Sequence, residues 1–180
     1  MATYPKNILS LFSGIGGLDL GVKLANPNAR TVCYVERETY CASVLVERME
    51  EKTLDSAPVW DDITTFDGKP WRGVVDTIIG GFPCQDLSVA GQQKGLHKGT
   101  RSGLFYEYVR VVREVRPRYV FVENVRGLLK QQAMETVIKE LANLGFNAEW
   151  GLFSSKGVGA SHKRERVFIL AKSAGTRAWS

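Results

Sequence analysis

The stretch "NILSLFSGIGGLDLG", residues 7–21, decides how the chain is read. Its first six residues, Asn7 to Phe12, form an apolar run of strand length. Gly14, Gly16 and Gly17 follow at once, and a helix is predicted from about Leu18. Glycines between a strand and a helix let the backbone turn tightly and come close to a ligand, as in nucleotide-binding folds.

The same alternation continues outward from that corner. "TVCYVE" (31–36), "VVDTIIGG" (74–81) and "RYVFVENV" (118–125) read as strands, and a further strand precedes Asp62 in "WDDITTF". Helices are predicted over 38–51, around 104–115 before Pro117, and in "METVIKELANLG" with Gly145 as its C-cap. "NAEWGLFSS" and "ERVFILAK" read as a closing strand pair, and a long loop covers roughly 82–101. Strands alternating with helices of this length predict an α/β fold built on a doubly wound, mostly parallel sheet. There is no repeat or obvious linker, so residues 1–180 are expected to form one domain. Sheets of this kind bind ligands at the carboxyl ends of their strands.

With 44% hydrophobic and 24% charged residues, the composition is that of an ordinary globular protein. No apolar run approaches the roughly 20 residues needed to span a bilayer. "MATYPKNILSLF" lacks the charged start and apolar length of a signal peptide, so no membrane partner is expected. Cys33, Cys41 and Cys84 form no CxxC pair, and their odd number argues against a disulfide framework. A reducing, cytoplasmic setting and no metal site are the expectations. The charge is unevenly spread. Residues 1–90 carry 8 Lys and Arg against 12 Asp and Glu, whereas residues 91–180 carry 16 against 7. A basic half can meet nucleic-acid phosphates, although a solvated mixed-charge surface would have the same composition.

Spacing narrows the ligand of the glycine turn. The pattern is G-x-G-G, without the third glycine of the dinucleotide fingerprint and without the Lys-Ser/Thr of a phosphate loop. Glu36 ends the second strand, where a carboxylate can accept hydrogen bonds from both ribose hydroxyls. A glycine turn plus a ribose acid, with no phosphate chemistry, fits a nucleoside such as S-adenosylmethionine. Asp62 can bond an adenine amine while Ile63 packs on the ring. A purely structural turn, a solvated strand end and a turn aspartate are the plainer alternatives for these three features.

"IIGGFPCQDLSVAG" (78–91) sets Cys84 behind Gly80, Gly81 and Pro83, on a rigid turn rather than in a core. With "LFSGIGGLDLG", "RSGLFYE" (101–107), "ENV" (123–125) and "HKRERVFILA" (162–171) in this order, the chain resembles the DNA (cytosine-5)-methyltransferases from about residue 8 to 171. The resemblance implies a Rossmann-like methyltransferase sheet with S-adenosylmethionine as methyl donor. Its substrate would be duplex DNA with the target cytosine flipped out. It assigns cofactor binding to Phe12, Ser13, Gly14, Gly16, Gly17, Leu18, Glu36, Asp62, Ile63, Pro83 and Leu104. Cys84 is the implied nucleophile, because carbon 5 of cytosine is too poor a nucleophile until a thiolate adds at carbon 6. A helix beginning just after Pro83 is expected to favour the thiolate through its N-terminal dipole. Glu123 is the implied acid at cytosine nitrogen 3. Arg164 and Arg166 are implied to hold the base carbonyl and a neighbouring phosphate. Asn124 is expected to brace the Pro83 loop and is grouped with Gln85, Ser88 and Gln92 as substrate contacts. His97 and Lys98 are basic residues of the same loop, with phosphate contact as one reading and a solvated surface as the plainer one.

Two departures from the family stand out. His162, preceded by Ser161, replaces the usual glutamine before the basic run. A target-recognition region and the later motifs are also expected to be absent from residues 1–180, since only nine residues follow Ala171. Three readings stay open: a compact enzyme, one subunit of a split enzyme whose second chain supplies the missing parts, or a binding-only relic. RNA is an alternative substrate.

Overall fold

The computed structural model describes residues 7–83 and 101–175, and its elements follow one another as strand and helix. They are β1 (Asn7–Leu11), α1 (Gly17–Ala25), β2 (Arg30–Val35), α2 (Thr39–Glu50), β3 (Val59–Trp60) and β4 (Thr77–Gly80). Then come α3 (Arg101–Val115), β5 (Tyr119–Val125), α4 (Gln131–Asn143), β6 (Phe146–Ser154) and β7 (Glu165–Ser173). The strands form one seven-stranded sheet in the order β3-β2-β1-β4-β5-β7-β6. The pairs among β1 to β5 are all parallel, whereas β7 runs antiparallel to both β5 and β6. The doubly wound, mostly parallel sheet expected from the sequence is present.

Strand alternation divides the core into two layers. Leu9, Leu11, Ile78, Val120, Val122, Val167 and Ile169 point to one face and pack with Phe105, Tyr108 and Val112 of α3 and Val137 and Leu141 of α4. On the other face Ile8 and Ile79 meet Leu18 and Val22 of α1. Tyr34 there meets Leu45 of α2. Helices therefore cover both faces. Beyond α1 this second face carries an aromatic row. Phe121 stacks on Phe168 at 5.7 Å, and Phe153 meets Phe168 edge-on at 5.7 Å.

The strand predicted over 74–81 is shorter, because Val74 and Val75 close a turn onto the Trp71 carbonyl and Gly73 adopts φ 85°. Only Thr77–Gly80 joins the sheet. The cap of α4 falls on Leu144, and the predicted Gly145 comes next with φ 82°. That is where a left-handed glycine ends a helix. Among the described residues, no helix is long and apolar enough to cross a membrane.

Candidate active site

The corner after β1 is tightly wound. Phe12 and Gly14 take φ 52° and 55°, and Gly16 takes φ 78° at the N-cap of α1. A left-handed aromatic residue is uncommon and held only where its surroundings fix it. Here the ring of Phe12 stacks on Tyr108 of α3 at 6.5 Å, and Ser13 N–H reaches the Val35 carbonyl at 3.2 Å. Glu36 locks the turn from the neighbouring strand end. Its carboxylate accepts from Gly14 N–H at 2.6 Å and from Glu38 N–H at 2.8 Å.

This corner forms one wall of a cleft of about 640 Å³ at the carboxyl ends of β1 and β4, within the usual range for ligand sites. Phe12, Ser13, Gly14, Gly17 and Leu18 line it, as do Glu123 and Arg164 from the other side. A Cβ on Gly14 or Gly17 would meet nothing within 4 Å, so both glycines leave room in the cleft. Gly16 turns the other way, where a side chain would strike Leu54.

Glu123 and Arg166 meet because β7 is reversed. Glu123 lies opposite Phe168 and Val125 opposite Arg166, which sets Arg166 on the diagonal to Glu123. Arg166 Nε donates to Glu123 Oε1 at 2.7 Å. Gly81 is needed beside this pair, since a Cβ there would sit 3.0 Å from both the Glu123 carboxylate and its carbonyl. Asn124 is 4% exposed and gives its amide to the Phe82 carbonyl at 2.9 Å, while its oxygen accepts from Val125 N–H at 2.8 Å. It therefore braces the segment before Pro83.

Of the other residues expected to bind the cofactor, Glu36, Asp62, Ile63, Pro83 and Leu104 are not among those lining the cleft. Ile63 is 4% exposed and packs in the main core. Asp62 accepts from the Thr64 N–H at 2.9 Å and hydroxyl at 2.8 Å, the turn alternative, and these bonds hold its carboxyl below the usual range. Leu104 packs on the core at the start of α3. Cys84, Gln85, Ser88, Gln92, His97, Lys98 and the helix expected after Pro83 lie outside the described residues. Of the described cysteines, Cys33 is buried and its thiol is pushed up to about 11 by desolvation. Cys41 is raised by desolvation and by Glu36 and Glu38. Neither has the electropositive setting of a reactive thiol.

Sequence reasoning missed the floor of the cleft. Asp19, in the first turn of α1, is 3% exposed and lines the cleft with Ser10. It accepts from the Ser10 hydroxyl at 2.8 Å and the Thr31 hydroxyl at 3.0 Å. The missed signal was Ser10, a polar residue inside a strand on the face that α1 covers. Burial, with Asp55 adding to it and the two hydroxyls opposing, raises Asp19 to about 6. A carboxyl raised above its unfolded value favours folding most below about pH 4, and this contribution is lost as the pH rises through about 6. Asp19→Asn should therefore gain on the wild type by ~2 kcal/mol between pH 4 and 7. Melting temperatures of both proteins across that window check it, and parallel profiles would refute it.

The fold and cleft thus define an α/β protein that takes its ligand at the glycine corner of a doubly wound sheet, with an acid–arginine pair at the rim. The chain belongs to the C-5 cytosine-specific DNA methylase family, which it matches over residues 6–178. It is 34% identical over 172 residues to the type II methyltransferase M.Eco47II of Escherichia coli, covering 91% of this chain and 39% of that protein. M.FnuDI of Fusobacterium nucleatum is 33% identical over 173 residues, covering 91% and 46%. The chain thus spans less than half the length of either relative. Among solved structures, the Dnmt2 methyltransferase of S. pombe superposes with a TM-score of 0.72 at 25% identity, covering 97% of this chain and 51% of that one.

Proposed function

We propose that the chain transfers a methyl group from S-adenosylmethionine to carbon 5 of cytosine in DNA, through a covalent adduct of Cys84 with a flipped base. The observation that carries this reading is the Glu123–Arg166 pair at 2.7 Å, on the rim of a cleft walled by the glycine turn. Family membership supports the reaction type. The cleft suits the cofactor chemically. Phe12, Ile15, Leu18 and Phe121 give it apolar walls, Gly14 and Gly17 leave a cradle, and among the described residues Arg164 is the one cation lining it. That suits a nucleoside better than a polyphosphate.

Bound S-adenosylmethionine supplies an electrophilic methyl group. Residues Phe12 to Leu18 would hold it, with Glu36 fixing the turn. The Cys84 thiolate would add to carbon 6 of cytosine and place electron density on carbon 5. Glu123 would engage nitrogen 3, oriented by Arg166, and Arg164 would meet an oxygen of the base or its phosphate. After carbon 5 has gained the methyl group and lost its proton, the carbon 6–sulfur bond breaks and the thiolate returns.

The test is transfer of labelled methyl to mixed-sequence duplex DNA, with Cys84→Ala as control and cofactor binding measured separately. Transfer that vanishes in the variant supports the reading. Transfer to RNA in place of DNA would overturn the substrate. Cofactor binding with no transfer would overturn the idea that this chain suffices.

A further inference from the structure

β6 and β7 pair out to Ser154 and Glu165, and residues 155–164 close the hairpin beside the cleft. Ser155 joins both ends of that connection. Its hydroxyl donates to the His162 carbonyl at 2.6 Å and accepts from Arg164 N–H at 2.8 Å. Its own N–H donates to the Arg164 carbonyl at 2.9 Å, and its carbonyl accepts from Ala160 N–H at 3.0 Å. One residue thus grips Arg164 by both its backbone N–H and its backbone C=O. Next door, Ser154 accepts from Gly157 N–H at 3.1 Å and fixes the start of the 3₁₀ turn Ser155–Val158.

The side chains at this end differ in what they hold. Arg166 is paired with Glu123, and Arg126 is paired with Glu165 at 2.6 Å. Lys163 also approaches Glu165, at 3.5 Å. Arg164 is among the residues lining the cleft, and its guanidinium has no hydrogen bond or ion pair among the described residues. Among the described residues no side-chain partner aims it, and what is held in place is the backbone it springs from. That backbone is held by Ser155.

We propose that Ser155 is a positioning residue, whose hydroxyl pre-aims Arg164 at the oxygen it meets on the flipped nucleotide. The role rests on the methyl-transfer reading above. A held backbone limits where the Arg164 side chain can reach, so less must be ordered when its planar fork meets the nucleotide, and small misplacements of such groups lower rates by one or two orders of magnitude.

A mutant cycle of Ser155→Ala, Arg164→Ala and the double variant tests this, with Ser155→Thr as the hydroxyl-retaining control. Ser155→Ala should lower kcat/KM for DNA about tenfold while cofactor affinity stays unchanged. Arg164→Ala should lose more, and the double variant no more than Arg164→Ala alone. Ser155→Thr should recover most of the rate. A Ser155→Ala penalty that persists in the Arg164→Ala background would overturn the proposal, because a merely structural hydroxyl acts independently of Arg164. NMR relaxation of the Arg164 Nε–H supplies a readout that needs no turnover. Loosening in Ser155→Ala supports the role and unchanged order overturns it, even if the wild type transfers no methyl group and the functional reading fails alone.

Discussion

Gly80→Ala should destabilise the protein by ~3 kcal/mol or more and lower its melting temperature well below that of the wild type. Gly80 ends β4, pairs with Leu11 on one side and Val122 on the other, and lines the floor of the cleft. A Cβ at this position would run into the Leu11 carbonyl oxygen and crowd the Leu11 Cβ. Neither neighbour can rotate away, since one is backbone inside a parallel ladder and the other is bonded to it. Overpacking that flexible side chains can relieve costs about 1–3 kcal/mol, and a backbone clash lies beyond that range. For a chain of this size, a loss of ~3 kcal/mol or more lowers the melting temperature by roughly 6–12 °C. Gly17→Ala is the contrasting case. Its Cβ meets nothing and it begins a helix, so the fold should survive while the new methyl group enters the cleft and weakens cofactor binding. Circular dichroism melts of both variants decide the matter. A Gly80→Ala protein melting within a few degrees of the wild type would show that β1 and β4 can part without loss.

Glu123→Gln should lower kcat for methyl transfer by about 10²–10⁴-fold, the usual worth of a positioned acid or base. The amide keeps the shape and can still bond a cytosine edge, but it cannot exchange a proton. Arg166→Lys should also be damaging. The guanidinium Nε that meets Glu123 at 2.7 Å is part of a planar fork, and an ammonium on a flexible stem does not reproduce it. Both variants should melt near the wild type, because Glu123 and Arg166 lie at the rim and are partly exposed. Steady-state kinetics with saturating cofactor separate the cases. Glu123→Gln within tenfold of the wild-type kcat would remove the carboxyl from the chemistry.

The strands β1, β2 and β5 were legible because each is an apolar run bounded by turn residues, and the helices between them keep their period. β4 was overread by four residues, three before it and Gly81 after it. Val74 and Val75 have the composition of a strand, but Gly73 in a left-handed turn keeps them out of the sheet. The glycine corner could be found from spacing alone, since a turn is a local device. Contacts across the sheet could not. Nothing in the spacing of Phe121 and Phe168, or of Glu123 and Arg166, announces that a reversed strand makes them neighbours. Asp19 was hidden for a related reason. An acid in the first turn of a helix reads as a surface charge favoured by the helix dipole, and only the packing of α1 on Ser10 and Thr31 takes it out of water.

The reversal of β7 also governs how the molecule can be extended by engineering. β7 starts beside the cleft and ends at the far edge, where Ser173 N–H bonds the Arg118 carbonyl and Ala174 N–H bonds the Gly145 carbonyl. Nine residues of strand separate these ends, about 30 Å of travel. A DNA-reading module fused after Ser173 would have to climb back that whole distance, with a linker of roughly nine extended residues or about 30 flexible ones. The same module grafted into the hairpin between Val158 and Ser161 would emerge at the rim with no distance to recover.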